Sequence, residues 1–396
     1  MGTINISLLR SEEASGKPSE PISSLLAHRI ENGDFPSAVY TVAERGQIVF
    51  ADALGHSVVK PYRIEATLDT IYDLASLTKP LVTTLLCAHL IKLGELTIDS
   101  SVSHYLREFE RTDRQAITIR ELLTHSAGLP AWKPLYILAE GERDRAAGVI
   151  AGLDLEYKPG MRVIYSDLGF IVLGLLLERL TGKRLAQLAR EVIFEPLDLK
   201  HTFFNPEIAL QTGIAACETG NAYERDMCRE TDVAGGYGKW REALIWGEVH
   251  DGNAYFLGGA AGHAGLFSTA HETLILANQF LPGQSKLLDE ETCKLFRTNM
   301  TEGLEEARSI GWQLAATKDS TAGPGLPADS YGHTGFTGVS CWIDPHQERA
   351  FILLTNRTHG RSLPFVNINS VRREFHTLAV AALEGINHAS SSTGTV

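Results

Sequence analysis

The position of the strand-like runs constrains this chain more than any other feature. Near the N-terminus, residues 38–43 and 47–53 are β-rich and flank Glu44-Arg45-Gly46, a three-residue glycine-containing connection of the hairpin kind. Near the C-terminus, residues 338–344 and 349–355 repeat the arrangement around Pro345-His346-Gln347-Glu348. Between them, residues 76–279 read as helix and loop. An α+β fold follows, with one antiparallel sheet built from both termini, flanking helices at 21–32 and 365–383, and a large, mostly helical lobe. The expected boundaries are a loose arm at 1–20, a sheet lobe from 21–75 and 280–390, a helical lobe from 76–279, and a flexible tail at 391–396. Such a layout leaves a cleft between lobes, and residue 76 sits at the junction.

At that junction Ile71-Tyr72-Asp73-Leu74-Ala75 runs into Ser76, Lys79 and an apolar helical pattern of Leu81, Leu85, Ala88 and Ile91, with Gly94 as a stop. Ser76 is expected to open this helix. Its hydroxyl could cap the first turn, or it could face a substrate within the positive end of the helix dipole. Three residues make nearly one turn, which puts the Lys79 amine within reach of the Ser76 hydroxyl. A serine needs such an activator, and the lysine helps only if its surroundings favour the neutral form. The chain contains its own control in Ser57-Val58-Val59-Lys60, which has the same spacing but β-branched residues and a following proline. That stretch reads as the end of a strand.

A length of 396 residues allows one large domain or two closely associated ones. The formal charge of -12 disfavours nucleic acid and anionic membrane as partners. Five scattered cysteines without a C-x-x-C pair suggest reduced thiols. The polar first 20 residues hold no signal-like apolar run and no stretch is long enough for a membrane span, so the reading places the protein in the cytoplasm. Oligomeric state is left open.

Two further stretches join Ser76 and Lys79: Tyr165-Ser166-Asp167 and His333-Thr334-Gly335. Each is the one occurrence of its pattern, Y-x-[ND] or [KH]-T-G, and the order is S-x-x-K, Y-x-D, H-T-G. Together they resemble the three motifs of the serine β-lactamase and penicillin-binding-protein superfamily. The tyrosine points to the branch of class C β-lactamases, D-Ala-D-Ala peptidases, D-aminopeptidases and family VIII carboxylesterases. Residues 122–129, 195–197, 264–270 and 353–357 are also similar to that branch, and the likeness spans roughly 35–375.

The resemblance implies a β-lactamase/transpeptidase-like fold and acylation of Ser76, with Lys79 and Tyr165 sharing the proton work. It implies that His333 orients substrate or relays a proton, that Thr334 donates a hydrogen bond, and that the N–H groups of Ser76 and Phe336 form an oxyanion hole. Gly335 would leave room for substrate along the strand edge. A tyrosine acts as a base near neutral pH only if cations lower its pKa, and Lys79 and His333 are placed as those cations. Two departures matter. Asp167 stands where many relatives have Asn and accepts hydrogen bonds only, and His333 stands where β-lactamases usually have Lys. Both favour esters and activated amides over β-lactams.

Residues 213–265, rich in Gly, Asn, Asp and His, are expected as loops over the site. The His and Asp residues of 246–266 match no metal-ligand spacing, and the family uses no metal, so no metal or cofactor is expected. The leading reading is a serine hydrolase cleaving a small ester, amide or peptide: a cytoplasmic carboxylesterase, or an amidase or peptidase for peptidoglycan fragments or D-amino acids. A weak β-lactamase, or a penicillin-recognising sensor that acylates without turnover, are the alternatives.

Overall fold

The computed structural model describes residues 16–111, 113–230 and 237–392. Most of the N-terminal arm and the last four residues of the tail lie outside them. Among the described residues the strands are β1 (Ser37–Glu44), β2 (Gln47–Val58), β3 (Ile64–Glu65), β4 (Tyr72–Asp73), β5 (Phe267–Ser268), β6 (Gln313–Leu314), β7 (Tyr331–Thr334), β8 (Ser340–Asp344) and β9 (Arg349–Thr355). Seven of them form one antiparallel sheet in the order β3-β2-β1-β9-β8-β7-β6. The two ends of the chain meet in its middle, where β1 pairs with β9 from Ala38 opposite Thr355 to Glu44 opposite Arg349. This is the α+β sheet from both termini that the sequence implied.

Side chains alternate across that sheet as a period of two requires. Tyr40 and Val42 of β1, Trp342 of β8, and Phe351 and Leu353 of β9 face one way, against Ile22 and Leu26 of the helix Glu20–Glu31 and Phe375 and Val380 of the helix Asn369–Ser392. Val39, Cys341, Ile343, Ile352 and Leu354 face the other way, into the core shared with the helical segments between β4 and β6. Both faces are therefore covered.

Four local readings change. The C-terminal helix begins at Asn369, four residues later than the sequence suggested, and runs to Ser392, into the segment read as tail. The short strands β3, β4, β5 and β6 had too few residues to show a period. β7 carries the His333 motif into the sheet. The regular helix expected from Ser76 is instead a 3₁₀ turn at Ala75–Leu77, a wide π turn at Lys79–Thr84, and α-helix only from Leu85 to Lys92. Pro80 has no N–H to give, so a regular i→i−4 bond cannot form there, and the wider turn is a known resolution of such a conflict. Ser57, by contrast, lies in β2 and donates to Ile64 O at 3.3 Å, as a strand residue.

Candidate active site

Ser76 is presented by a pinned turn. Asp73, almost wholly buried, accepts from Ala75 N through Oδ1 and from His250 N through Oδ2, both at 2.8 Å. Burial pushes the Asp73 carboxyl above its ordinary pKa, with the two backbone donors working against this. Thr78 Oγ1 donates to Ala75 O at 2.6 Å and accepts from Leu266 N at 3.1 Å. These bonds hold Ala75 at φ 45, a left-handed conformation that costs an L-residue about 1–2 kcal/mol. The strain falls on the residue immediately before Ser76, which stays partly exposed between buried neighbours.

Gly335 lines the cleft, and it is also constrained by packing. A Cβ there would lie 2.7 Å from Leu74 O and 2.5 Å from Val339 Cγ2. The missing side chain lets the strand end pack against the Ser76 turn, so the constraint comes from the protein's own backbone.

Lys79 is fully buried, and its ammonium faces several acceptors at once. Its Nζ lies 2.9 Å from Ser76 Oγ, 3.0 Å from His263 O and 2.7 Å from Asp167 Oδ1. Burial pulls its pKa down, but Asp167 and Tyr165 outweigh burial and hold it above the usual lysine value. Lys79 is an ammonium at neutral pH. Asp167 opens the helix Asp167–Thr181, which Ser166 caps by accepting from Gly169 N at 3.3 Å.

The Tyr165 hydroxyl is hydrogen-bonded to both Lys79 and Ser76. Loss of solvent raises its pKa above the ordinary tyrosine value; Lys79 opposes this and Asp167 adds to it. The expectation of a lowered tyrosine pKa is therefore corrected, and His333 is the reason the two cations fail to appear. Burial, then Lys79 and Arg308, push the His333 pKa well below the usual histidine range, so its ring is neutral. His333 Nδ1 lies 2.8 Å from Thr334 O, which fixes the proton on Nδ1 and leaves Nε2 as an acceptor. Its one donor is spent inside the protein.

His125 went unremarked within the 122–129 stretch. Its buried ring packs on Tyr165 at 4.6 Å between centroids, and His333 packs on Tyr165 at 5.8 Å. Ser166 N donates to His125 Nδ1 at 3.0 Å, tying the histidine to the Tyr165 turn.

A cleft of about 630 Å³ runs from Ser76 past Tyr165, Asp167, His333, Thr334, Gly335 and Phe336, so the structure gathers the sequence-predicted residues around one space, with Lys79 beneath it. Its far wall holds Arg308, Arg357 and Arg372. Arg308 is paired with Glu306 at 2.7 Å, whereas among the described residues neither Arg357 nor Arg372 has a carboxylate partner. Burial, and then Arg357, push the Arg372 pKa down to about 9. Arg372 donates to Gly335 O at 2.7 Å and Val339 O at 3.0 Å, and Arg357 to Phe336 O at 2.6 Å. A trans peptide points its C=O and N–H opposite ways, so the bond to Gly335 O fixes the direction of the Phe336 N–H. Arg372 left no trace in the sequence pattern.

The segment expected as loops over the site borders it, but it is helical at Ala222–Glu230 and Gly252–Phe256, and Tyr223 and Glu224 come from the first of these helices. A second cavity of about 160 Å³ beside Ser76 is lined by Trp132, Tyr223, Glu224, His250 and Asp251 among others. The histidines of that region are bound to carboxylates: His250 Nε2 to Glu218 at 2.8 Å and His263 Nε2 to Asp251 at 2.8 Å.

The family described as Beta-lactamase matches this chain over residues 22–370. A putative D-alanyl-D-alanine carboxypeptidase of Escherichia coli (strain K12) is 32% identical over 354 residues, 82% of this chain and 79% of that protein. An N-acetylmuramyl-L-alanine amidase of Bacillus subtilis (strain 168) is 32% identical over 372 residues, 87% of this chain and 82% of that protein. Among solved structures, EstCE1, a hydrolase with promiscuous acyltransferase activity, superposes with a TM-score of 0.69 at 22% identity over 91% of this chain and 97% of its own. A class C beta lactamase from Rhodobacter sphaeroides gives 0.67 at 18%, over 92% and 99%. These two share the fold. The motif order, the sheet drawn from both termini and the family match over most of the chain agree: it belongs to the beta-lactamase family of serine hydrolases.

Proposed function

We propose that the chain hydrolyses an amide bond in a peptidoglycan-type fragment through an acyl-enzyme on Ser76, with a substrate carboxylate held by the arginine wall of the cleft. The observation that carries this reading is the pair Arg357 and Arg372, which line the space beside Ser76 without a carboxylate of their own. Buried cations are normally paired, and a carboxylate on the departing half of a substrate supplies the missing partner. The names of the carboxypeptidase and amidase relatives fit that chemistry. The same wall supplies the positive charge that neutral His333 lacks. That all five cysteines are buried thiols supports the cytoplasmic setting read from the sequence.

In the proposed cycle Ser76 Oγ attacks the carbonyl carbon and its proton passes to Tyr165 as tyrosinate. The N–H groups of Ser76 and Phe336 take the oxyanion. The C–N bond breaks as Tyr165 returns the proton to the departing amine. Water then repeats the sequence on the ester. Lys79 keeps its charge throughout and stabilises negative charge on Ser76 Oγ and Tyr165. Asp167 keeps Lys79 charged, and it also makes the tyrosinate harder to form.

Two measurements test this reading. For a peptide ending in a free carboxylate and the same peptide as its C-terminal amide, kcat/KM should favour the acid by about 10- to 100-fold, the scale of a charge-assisted hydrogen bond. Equal rates, or a preference for the neutral substrate, would contradict it. The second concerns pH. A raised Tyr165 pKa means the reactive tyrosinate grows as pH rises, so kcat/KM for the C-terminal amide, which does not need the Arg372 charge, should climb from neutral into the alkaline range without a plateau at neutral pH. Asp167→Asn removes the carboxylate that raises the pKa, so the climb should move to lower pH. A shift toward higher pH, or none, would show that Tyr165 is not the titrating base.

A further inference from the structure

Beyond Glu224 from the nucleophile lies a third pocket, of about 450 Å³, within the range of about 300–1,000 Å³ usual for small-ligand sites. Its rings are Tyr136, Tyr237, Trp240, Tyr255 and Phe256. Tyr237 and Trp240 are nearly perpendicular, with centroids 5.0 Å apart and an interplanar angle of 84°, and Tyr136 lies 5.5 Å from Tyr237 and 5.9 Å from Trp240. They form a corner rather than a slot, and both Tyr237 and Trp240 remain partly exposed. Polar groups surround the corner. Asn221 Oδ1 accepts from Arg241 Nε at 2.8 Å, and Glu224 accepts from Tyr136 Oη at 2.9 Å and Gly252 N at 2.6 Å.

From this arrangement we infer that the aromatic pocket is a pyranose-binding subsite, which holds the sugar of an aminosugar–peptide substrate while the bond beside the sugar or along its peptide lies at Ser76. The inference rests on the amide-hydrolase reading above. A pyranose has an apolar C–H face that packs on an aromatic ring and a rim of hydroxyls that needs donors and acceptors, which is the composition found here. A flat aromatic ligand would leave the polar rim unused. An organic cation fits worse, because Lys239 and Arg241 line the same space and Arg225 already lies 5.5 Å over the Trp240 ring. The link to the reaction is Glu224, whose side chain borders both this pocket and the smaller cavity that reaches Ser76. A sugar in the aromatic corner is thus one side chain away from the cavity beside Ser76, with the arginine wall in the neighbouring cleft.

The test has a binding arm and a kinetic arm, both on the full chain. N-acetylmuramic acid titrated into Ser76→Ala, followed by tryptophan fluorescence and calorimetry, should bind saturably, and adding Trp240→Ala should weaken it about tenfold or more. Tyr237→Ala serves as the second variant should Trp240→Ala melt early. In the kinetic arm, a muramyl peptide is compared with the same peptide bearing a lactyl group and no sugar. The ratio of their kcat/KM values should favour the muramyl peptide and fall about tenfold in Trp240→Ala, chiefly through KM. Absence of saturable sugar binding together with an unchanged ratio overturns the subsite and leaves amide hydrolysis standing. Binding of tetramethylammonium in place of the sugar overturns it as well. If neither peptide is hydrolysed, the amide-hydrolase reading fails, and the sugar titration still decides the subsite.

Discussion

Lys79→Ala is expected to lower kcat/KM by at least about 10²-fold, the scale on which removal of acid–base machinery is felt. The lysine joins the hydroxyl of Ser76, the carboxylate of Asp167 and the carbonyl of His263 through one nitrogen. Without it Ser76 loses a donor, and Asp167 faces Tyr165 with no intervening positive charge, so tyrosinate formation becomes harder still. The Asp167 side chain is 19% exposed and can recruit water, so the fold should survive, and a thermal melt beside the kinetics checks this. Lys79→Arg should not restore activity, because a planar fork cannot replace three tetrahedral donors in a fully buried slot. Retention of wild-type turnover by the alanine variant would remove Lys79 from the mechanism.

Tyr165→Phe should cost about 10²-fold or more in acylation while leaving the fold intact. The ring is held by packing against His125 and His333, and phenylalanine keeps those contacts. What disappears is the oxygen bonded to Lys79 and Ser76. Single-turnover release of the leaving group separates this step from deacylation. A variant that acylates at the wild-type rate would mean another group takes the Ser76 proton.

How far the sequence could be read depended on whether a feature was local or long-range. The hairpins at 38–53 and 338–355 carry a period of two and turn residues, so the sheet from both termini was legible. Ser76, Lys79, Tyr165, Asp167 and His333 were legible as spaced motifs. The charge state at the centre was not, because it depends on what surrounds each group. The only His333 donor is taken by Thr334 O, and burial beside Lys79 and Arg308 keeps the ring neutral. Gly335 was visible as a glycine, but only the packed structure shows that Leu74 O occupies the space where its side chain would be. Arg372 comes from a helix 37 residues beyond the carbonyl of Gly335 that it holds, a pairing no local pattern encodes. The helix from Ser76 misled because every residue of Lys79–Thr84 is buried, so apolar spacing there carries no information on the kind of turn, and Pro80 cannot give the i→i−4 bond of a regular start.

The central claim is that Ser76 is the covalent nucleophile. The structure supplies contrasts: Ser57 is bonded within the sheet, Ser126 Oγ lies 2.8 Å from Thr124 Oγ1, and Ser166 Oγ is engaged with Pro130 O at 2.7 Å while capping a helix. Ser76 alone among these four contacts both Lys79 and Tyr165. Labelling the purified chain with a fluorophosphonate, followed by peptide mass spectrometry, tests the claim directly. One adduct per chain on the peptide containing Ser76, absent from Ser76→Ala, is the predicted result. An adduct on Ser57, Ser126 or Ser166, or hydrolysis undiminished in Ser76→Ala, would contradict it.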